Sequence, residues 1–110
     1  MRSKTICLAP AILADSNGNY TGTTETITGD NWFITSLIVN NQDETETPVT
    51  LTFNKSDGSS FSIPFKLTAK NTSTSSMALD LRIAMPDDAT ITITSSSNMV
   101  DAMISMVTPN

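Results

Sequence analysis

Within residues 49–94 the chain four times alternates apolar and polar residues, stops at a turn signal and starts again. The apolar members are Val49, Leu51 and Phe53; Phe61, Ile63, Phe65 and Leu67; Met77, Leu79, Leu81, Ile83 and Met85; and Ala89, Ile91 and Ile93. A side-chain period of two sets one face of a strand on a core and the other in water. Antiparallel sheets covered on one side keep this alternation, whereas buried parallel strands read as unbroken apolar runs. The parity predicts one core that takes Leu51, Phe53, Phe61, Phe65, Leu79, Leu81, Ile83, Ile91 and Ile93.

Turn residues divide the rest of the chain. Asp57-Gly58 predicts a hairpin turn, and Pro64, which has no N–H to give a ladder, sends its strand to a sheet edge or a bulge. Residues 5–13 read as an extended arm or first strand bent at Pro10, followed by the Asx-rich turn Asp15-Ser16-Asn17-Gly18-Asn19. Residues 20–28 are Thr-rich and β-prone and close at Gly29-Asp30-Asn31; Pro86-Asp87-Asp88 and residues 95–98 are further turns. Seven to eight short strands predict an all-β fold, an antiparallel β-sandwich of Ig-like or jelly-roll-like kind. Residues 1–19 are expected to be an N-terminal extended arm and turn, and residues 20–110 a single sandwich domain.

A chain of 110 residues buries roughly 65% of its unfolded surface, enough for a core without metal or disulfide support. With 38% hydrophobic and 15% charged residues, the solvent-facing positions fall to Thr, Ser and Asn, which suit strands and turns better than helices. The net charge of −5 and scattered cations argue against a nucleic acid partner. A single cysteine, Cys7, excludes an intrachain bridge and, between Ile6 and Leu8, is expected to be a small buried hydrophobe. No stretch approaches the length of a membrane-spanning helix, so no membrane partner is expected. Arg2 and Lys4 ahead of a short apolar segment imitate a signal peptide. Pro10 interrupts that segment and no small-x-small site precedes Asp15, so it is expected in the mature protein.

Two segments break the one-sided pattern. Residues 32–39 carry large apolar groups at both parities, and in the last strand Val100, Ala102, Ile104 and Met106 oppose Met99, Met103 and Val107. A sandwich strand has one core face, so the second must be covered by the arm, a loop or another chain. A protein interface is expected at Arg2, Lys4, Thr5, Ile6, Met99, Met103 and Val107, with the β-prone arm adding to a sheet edge of its own or a neighbouring chain.

Reactive constellations are missing. There is no histidine, which removes Ser-His-Asp and Cys-His arrangements and ordinary zinc sites, and four glycines form no phosphate loop. Residues 15–19 fail as a calcium loop because the glycine is fourth and not sixth. Three Asn-x-Ser/Thr matches are expected by chance in such a composition. The methionines suit packing better than a thioether copper site. Trp32, Phe33 and Tyr20 would suit a sugar-stacking platform, although Trp32 opens the most apolar strand and reads as core. The expectation is therefore no enzyme, no cofactor, no metal and no catalytic residue.

The order of elements resembles small β-sandwich virion proteins of tailed bacteriophages, capsid decoration (cement) proteins and related head or tail accessory proteins. The resemblance runs from Tyr20-Thr21 through the apolar strand ending at Asn40-Asn41, Val49-Thr50-Leu51-Thr52-Phe53, the strand ending at Pro86-Asp87-Asp88-Ala89, Ile91-Thr92-Ile93-Thr94-Ser95, and Val100-Asp101-Ala102. It implies a structural protein, made in the host cytoplasm and placed on the capsid surface of a virion. That protein would bind the major capsid protein or another virion structural protein as a homo-oligomer, by resemblance a trimer. A phage tail or head-fibre accessory and a carbohydrate-binding β-sandwich module are the alternatives.

Overall fold

The computed structural model describes residues 2–28, 32–85 and 88–109, with Leu81 and Arg82 as backbone alone. The strands are β1 (Arg2–Leu8), β2 (Tyr20–Thr23), β3 (Phe33–Asn41), β4 (Thr47–Asn54), β5 (Ser60–Leu67), β6 (Ser76–Ala84), β7 (Thr90–Ser95) and β8 (Val100–Thr108). They form two four-stranded antiparallel sheets, a first in the order β1-β8-β3-β6 and a second in the order β2-β7-β4-β5. This is the antiparallel sandwich that the alternation predicts. The arm segment, as β1, joins the edge of its own chain's first sheet beside β8.

Inward side chains of the two sheets make the core. Ile34, Leu37, Val39, Ile104 and Met106 of the first sheet meet Val49, Leu51, Phe53, Phe65, Leu67, Ile91 and Ile93 of the second. Each such side chain, fully buried, contributes about 1.5–3 kcal/mol. The predicted core holds for Leu51, Phe53, Phe65, Ile91 and Ile93 and needs correction elsewhere. Phe61 is 36% exposed and stacks on Phe53 at 4.7 Å between ring centroids. Leu79 and Ile83 are only partly buried, and the side chain of Leu81 lies outside the described residues. The cause is position: β5 and β6 are the edges of their sheets, so their inward residues have a neighbour on one side only. Pro64 lies on such an edge, as its missing N–H requires.

The surplus of apolar residues in β3 has a local origin. Ile34 stands opposite Met106 and Ser36 opposite Ser105, so β3 advances two residues while β8 advances one. This bulge re-phases the strand, and Ile34, Leu37, Val39 and Asn41 all reach the core side. Most of the second apolar parity in residues 32–39 is thus absorbed inside the sandwich, leaving Phe33 and Ile38 outward.

Cys7 is also corrected: it is exposed. Strand parity decides this, because Leu8 is buried and Ile6 is packed against the core, which turns the residue between them to the solvent side. Among the turns, Gly58 has φ 90° in the β4–β5 hairpin, and Asp15 accepts from the N–H groups of Asn17 and Asn19 at 2.9 Å each. The turns at Gly29-Asp30-Asn31 and Pro86-Asp87 lie outside the described residues.

One end of the sandwich is tied by a polar knot. Buried Asn41 donates through Nδ2 to the carbonyls of Thr45 (3.1 Å) and Thr68 (2.9 Å), and its Oδ1 accepts from the Asp43 N–H. Asp43 in turn accepts from Ser97 Oγ at 2.6 Å and from Thr45 N and Oγ1 at 3.0 Å each. Three loops, β3–β4, β5–β6 and β7–β8, are thereby joined. The Ser97 hydroxyl, and then the Thr45 donors, hold the Asp43 carboxyl below its ordinary pKa. At the other connection, a Cβ on Gly22 would lie 2.2 Å from the Ala9 carbonyl oxygen, where the chain leaves β1 and crosses to β2.

Two outcomes are expected. Gly22→Ala must push backbone apart and should cost about 1–3 kcal/mol in chemical denaturation. A carboxyl whose folded pKa is depressed contributes stability above about pH 4 and loses it as the pH falls through the lower folded value. The thermal midpoint of the wild type should therefore fall on acidification below about pH 4, and Asp43→Ala should start lower at neutral pH and show a shallower fall.

Candidate interaction face

The solvent side of the first sheet carries the densest exposed apolar surface on a strand face. Antiparallel register lines up outward residues from four strands in rungs. Cys7, Met103, Ile38 and Ala78 form one rung; Ser3, Val107, Phe33 and Ala84 form another. A polar rung of Thr5, Ser105, Ser36 and Asp80 lies between them, with Thr35 Oγ1 donating to the Ser105 carbonyl at 3.2 Å. Met103 is 46% exposed, Ile38 42% and Phe33 39%, while Val107 is half-buried. A shallow cavity of about 310 Å³ opens at the Met103 rung between Cys7, Ala9, Ile38, Asn40 and Asp101.

The residues expected from sequence divide by parity. Thr5, Met103 and Val107 share this outer face. Arg2, Lys4 and Ile6 alternate with it and turn toward the other side of β1. There the Arg2 guanidinium and Lys4 ammonium lie 5.7 and 5.3 Å from the centre of the Trp32 ring, and Ile6 packs on the core. A cation over an indole face at such a site is worth about 0.5–1 kcal/mol. Met99 belongs to the β7–β8 turn, exposed, beside Asn98, whose Nδ2 donates to the Ile12 carbonyl at 3.2 Å. The interface residues expected together thus lie in three places.

Sequence reading missed several neighbours. Phe33 and Ile38 belong to the outer face, but the bulge hid which of the β3 residues would point outward. Ile12 and Leu13, 81% and 84% exposed, sit in a loop where no period exists to flag them. Trp32, 6% exposed, donates through Nε1 to the Thr28 carbonyl at 3.2 Å. Phe33 points outward from the first sheet and Tyr20 belongs to the second, so the three aromatics do not form one platform. Among the described residues, no group of three or more His, Cys, Asp or Glu side chains is placed to hold a metal ion.

No family model matches the chain, and no curated protein matches it. Solved structures resemble it in fold. One is an exo-β-1,3-galactanase from Phanerochaete chrysosporium, at 15% identity and a TM-score of 0.49, covering 96% of this chain and 29% of the galactanase. Another is the enzymatically active domain of bacteriophage CBA120 tailspike protein 4, at 22% identity and a TM-score of 0.42, covering 81% of this chain and 14% of that one. The chain thus spans less than a third of either. These likenesses correct one expectation. Missing histidine and reactive clusters led to a reading of no enzyme, yet both similar chains are named for enzymes. The non-enzymatic reading does not stand. The likeness is one of fold and assigns no reaction here.

The exposure of Cys7 is directly measurable. In the folded protein an aromatic disulfide reagent should titrate one thiol per chain, to the same extent as after denaturation. A thiol that reacts only in denaturant would place Cys7 in the core.

Proposed function

We propose that the chain is an accessory module of a tailed-phage virion, of the tail or fibre kind, attached to a virion structural protein through the outer face of its first sheet. One observation carries the attachment: Met103, Ile38, Phe33 and Val107 present two apolar rungs to solvent on a rigid four-stranded surface. Contiguous exposed apolar surface of this kind marks contact sites, and a face built on strands holds its anchors in fixed geometry. The virion setting rests on the order of sequence elements. Capsid decoration is the narrower claim and has no observation of its own, so it is not carried forward.

The test is co-sedimentation of tagged protein with purified particles of the phage that encodes it. Met103→Asp places a charge on the contact and should leave the fold intact, since the side chain is already half in water. Particle-bound protein should fall roughly tenfold or more, the size of a lost interface anchor. A chain absent from particles, or a variant that binds unchanged, overturns the proposal. Binding to a panel of soluble oligosaccharides with no binding to particles would favour the carbohydrate-binding alternative.

A further inference from the structure

The two sheets part along the side where β1 is the edge. A cavity of about 430 Å³ lies there, with Lys4, Ile6, Cys7 and Leu8 of β1 on one wall and residues 23–27 on the other. The walls meet at one end, where Gly22 comes so near the Ala9 carbonyl that a Cβ would have no room. Counting equally along both walls from that contact sets Glu25 across from Ile6 and Ile27 across from Lys4. Lys4 and Glu25 are exposed, and neither has an ion-pair partner among the described residues. The Lys4 ammonium rests over the Trp32 ring instead.

Backbone direction identifies which groups face the cleft. The Asn41 N–H donates to the Ser75 carbonyl and the Gln42 N–H to the Met99 carbonyl, both at 2.8 Å. Even-numbered β3 residues beyond the bulge therefore turn to β8, where Ile38 meets Met103 and Asn40 meets Asp101. By alternation, Ala102, Ile104 and Met106 of β8 turn the other way and bond Leu8, Ile6 and Lys4 of β1. The N–H and C=O groups of Ser3, Thr5 and Cys7 are then aimed out of the sheet, with no partner among the described residues. On the facing wall, the Thr24 and Ile27 N–H groups donate to the Ile91 and Ala89 carbonyls, whereas those of Glu25 and Thr26 have no partner among the described residues.

We propose that this cleft takes an extended peptide segment of a protein partner, added antiparallel to β1 and carrying a basic and an acidic residue two positions apart. The backbone selects a peptide. Ser3, Thr5 and Cys7 repeat a donor and an acceptor every second residue, about 6.6–6.8 Å, which is the repeat of an extended chain. Charge selects the sequence. The inward residue opposite Lys4 is acidic, since opposite charges across a ladder attract. The inward residue opposite Ile6 lays an aliphatic stem on Ile6 and reaches Glu25, as lysine or arginine does. A segment without these charges would cover Lys4 and Glu25 and leave both unpaired, which is costly. Neither the virion reading nor the outer face enters into this contact.

The test is a nuclear magnetic resonance titration of the full chain with the peptide acetyl-Val-Thr-Lys-Thr-Glu-Thr-amide. Binding should appear at millimolar peptide, with the Thr5 and Cys7 amide protons moving downfield as they enter a ladder. Lys4→Glu and Glu25→Lys change exposed residues and should keep the fold. Each should weaken binding about two- to fivefold, the size of a surface charge pair. A peptide with lysine in place of its glutamate should bind Lys4→Glu better than it binds the wild type. N-methylation of the threonine between lysine and glutamate removes the donor that meets the Thr5 carbonyl and should abolish binding. Met103→Asp should bind as the wild type does, which separates this cleft from the outer face. No binding at millimolar peptide overturns the proposal, as does binding that survives N-methylation or ignores both charge reversals. Concentration-dependent shifts of Thr5 and Cys7 without peptide would mean that a second copy takes this edge, and would overturn it as well.

Discussion

The extra residue in β3 governs how this sandwich is arranged. Central strands of a sheet normally keep one parity inward throughout, and β3 breaks that rule between Ile34 and Ser36. Between the same two core rungs, β8 advances two residues, β3 three and β6 four. The first sheet therefore fans open toward β6, and the bulge adds right-handed twist where it occurs. Without the phase change, Leu37 and Val39 would face water while Ile34 faced the core. With it, every large aliphatic of the strand but Ile38 is buried, and Asn41 arrives inward to tie the loops.

The two long sides of the sandwich differ because of what lines them. At the β1 side, a cavity of about 430 Å³ lies between β1 and residues 23–27, with Lys4 and Glu25 in its lining. Charged groups there stay wet and keep the side from closing on a strand that lacks charges to match. At the β6 side the lining is Met77, Leu79, Ile83 and Ile63, none of which gains from contact with water. The outer face of the first sheet is a third kind of surface, striped by a polar rung. One small domain thus separates a hydrated side, an apolar side and a mixed face.

Much of this architecture was legible in residue order, and the exceptions have physical causes. Period two over Val49, Leu51 and Phe53, and over Ile91 and Ile93, located strands whose partners bury both neighbours, so parity and burial agree. At Phe61, Leu79 and Ile83 parity was right and burial was not, since period says which side a residue faces and nothing about whether a neighbour covers it. The β3 bulge leaves no mark in an apolar run, so the surplus there read as a second face. Cys7 misled through residue type, although its place between Ile6 and Leu8 already held the answer. Of the candidate surface, Met103 and Val107 were legible because β8 keeps its alternation from end to end. Ile38 and Phe33 were not, because their side is set by a backbone irregularity.

The position of β8 has a kinetic consequence. The second sheet consists of strands that all lie within residues 20–95, so each of its ladders can form before β8 is made. β8 is interior to the first sheet, between β1 and β3, and among the described residues β1 has no other strand partner. During synthesis β1 waits for β8. For that interval β1 and one side of β3 stand unpaired, and closure then joins residues separated by nearly the whole chain, as in Arg2 opposite Thr108. Such distant contacts carry the largest loop-closure cost and form late. Newly made chains are most open to mispairing and proteolysis in that interval, and β8 sets when it ends.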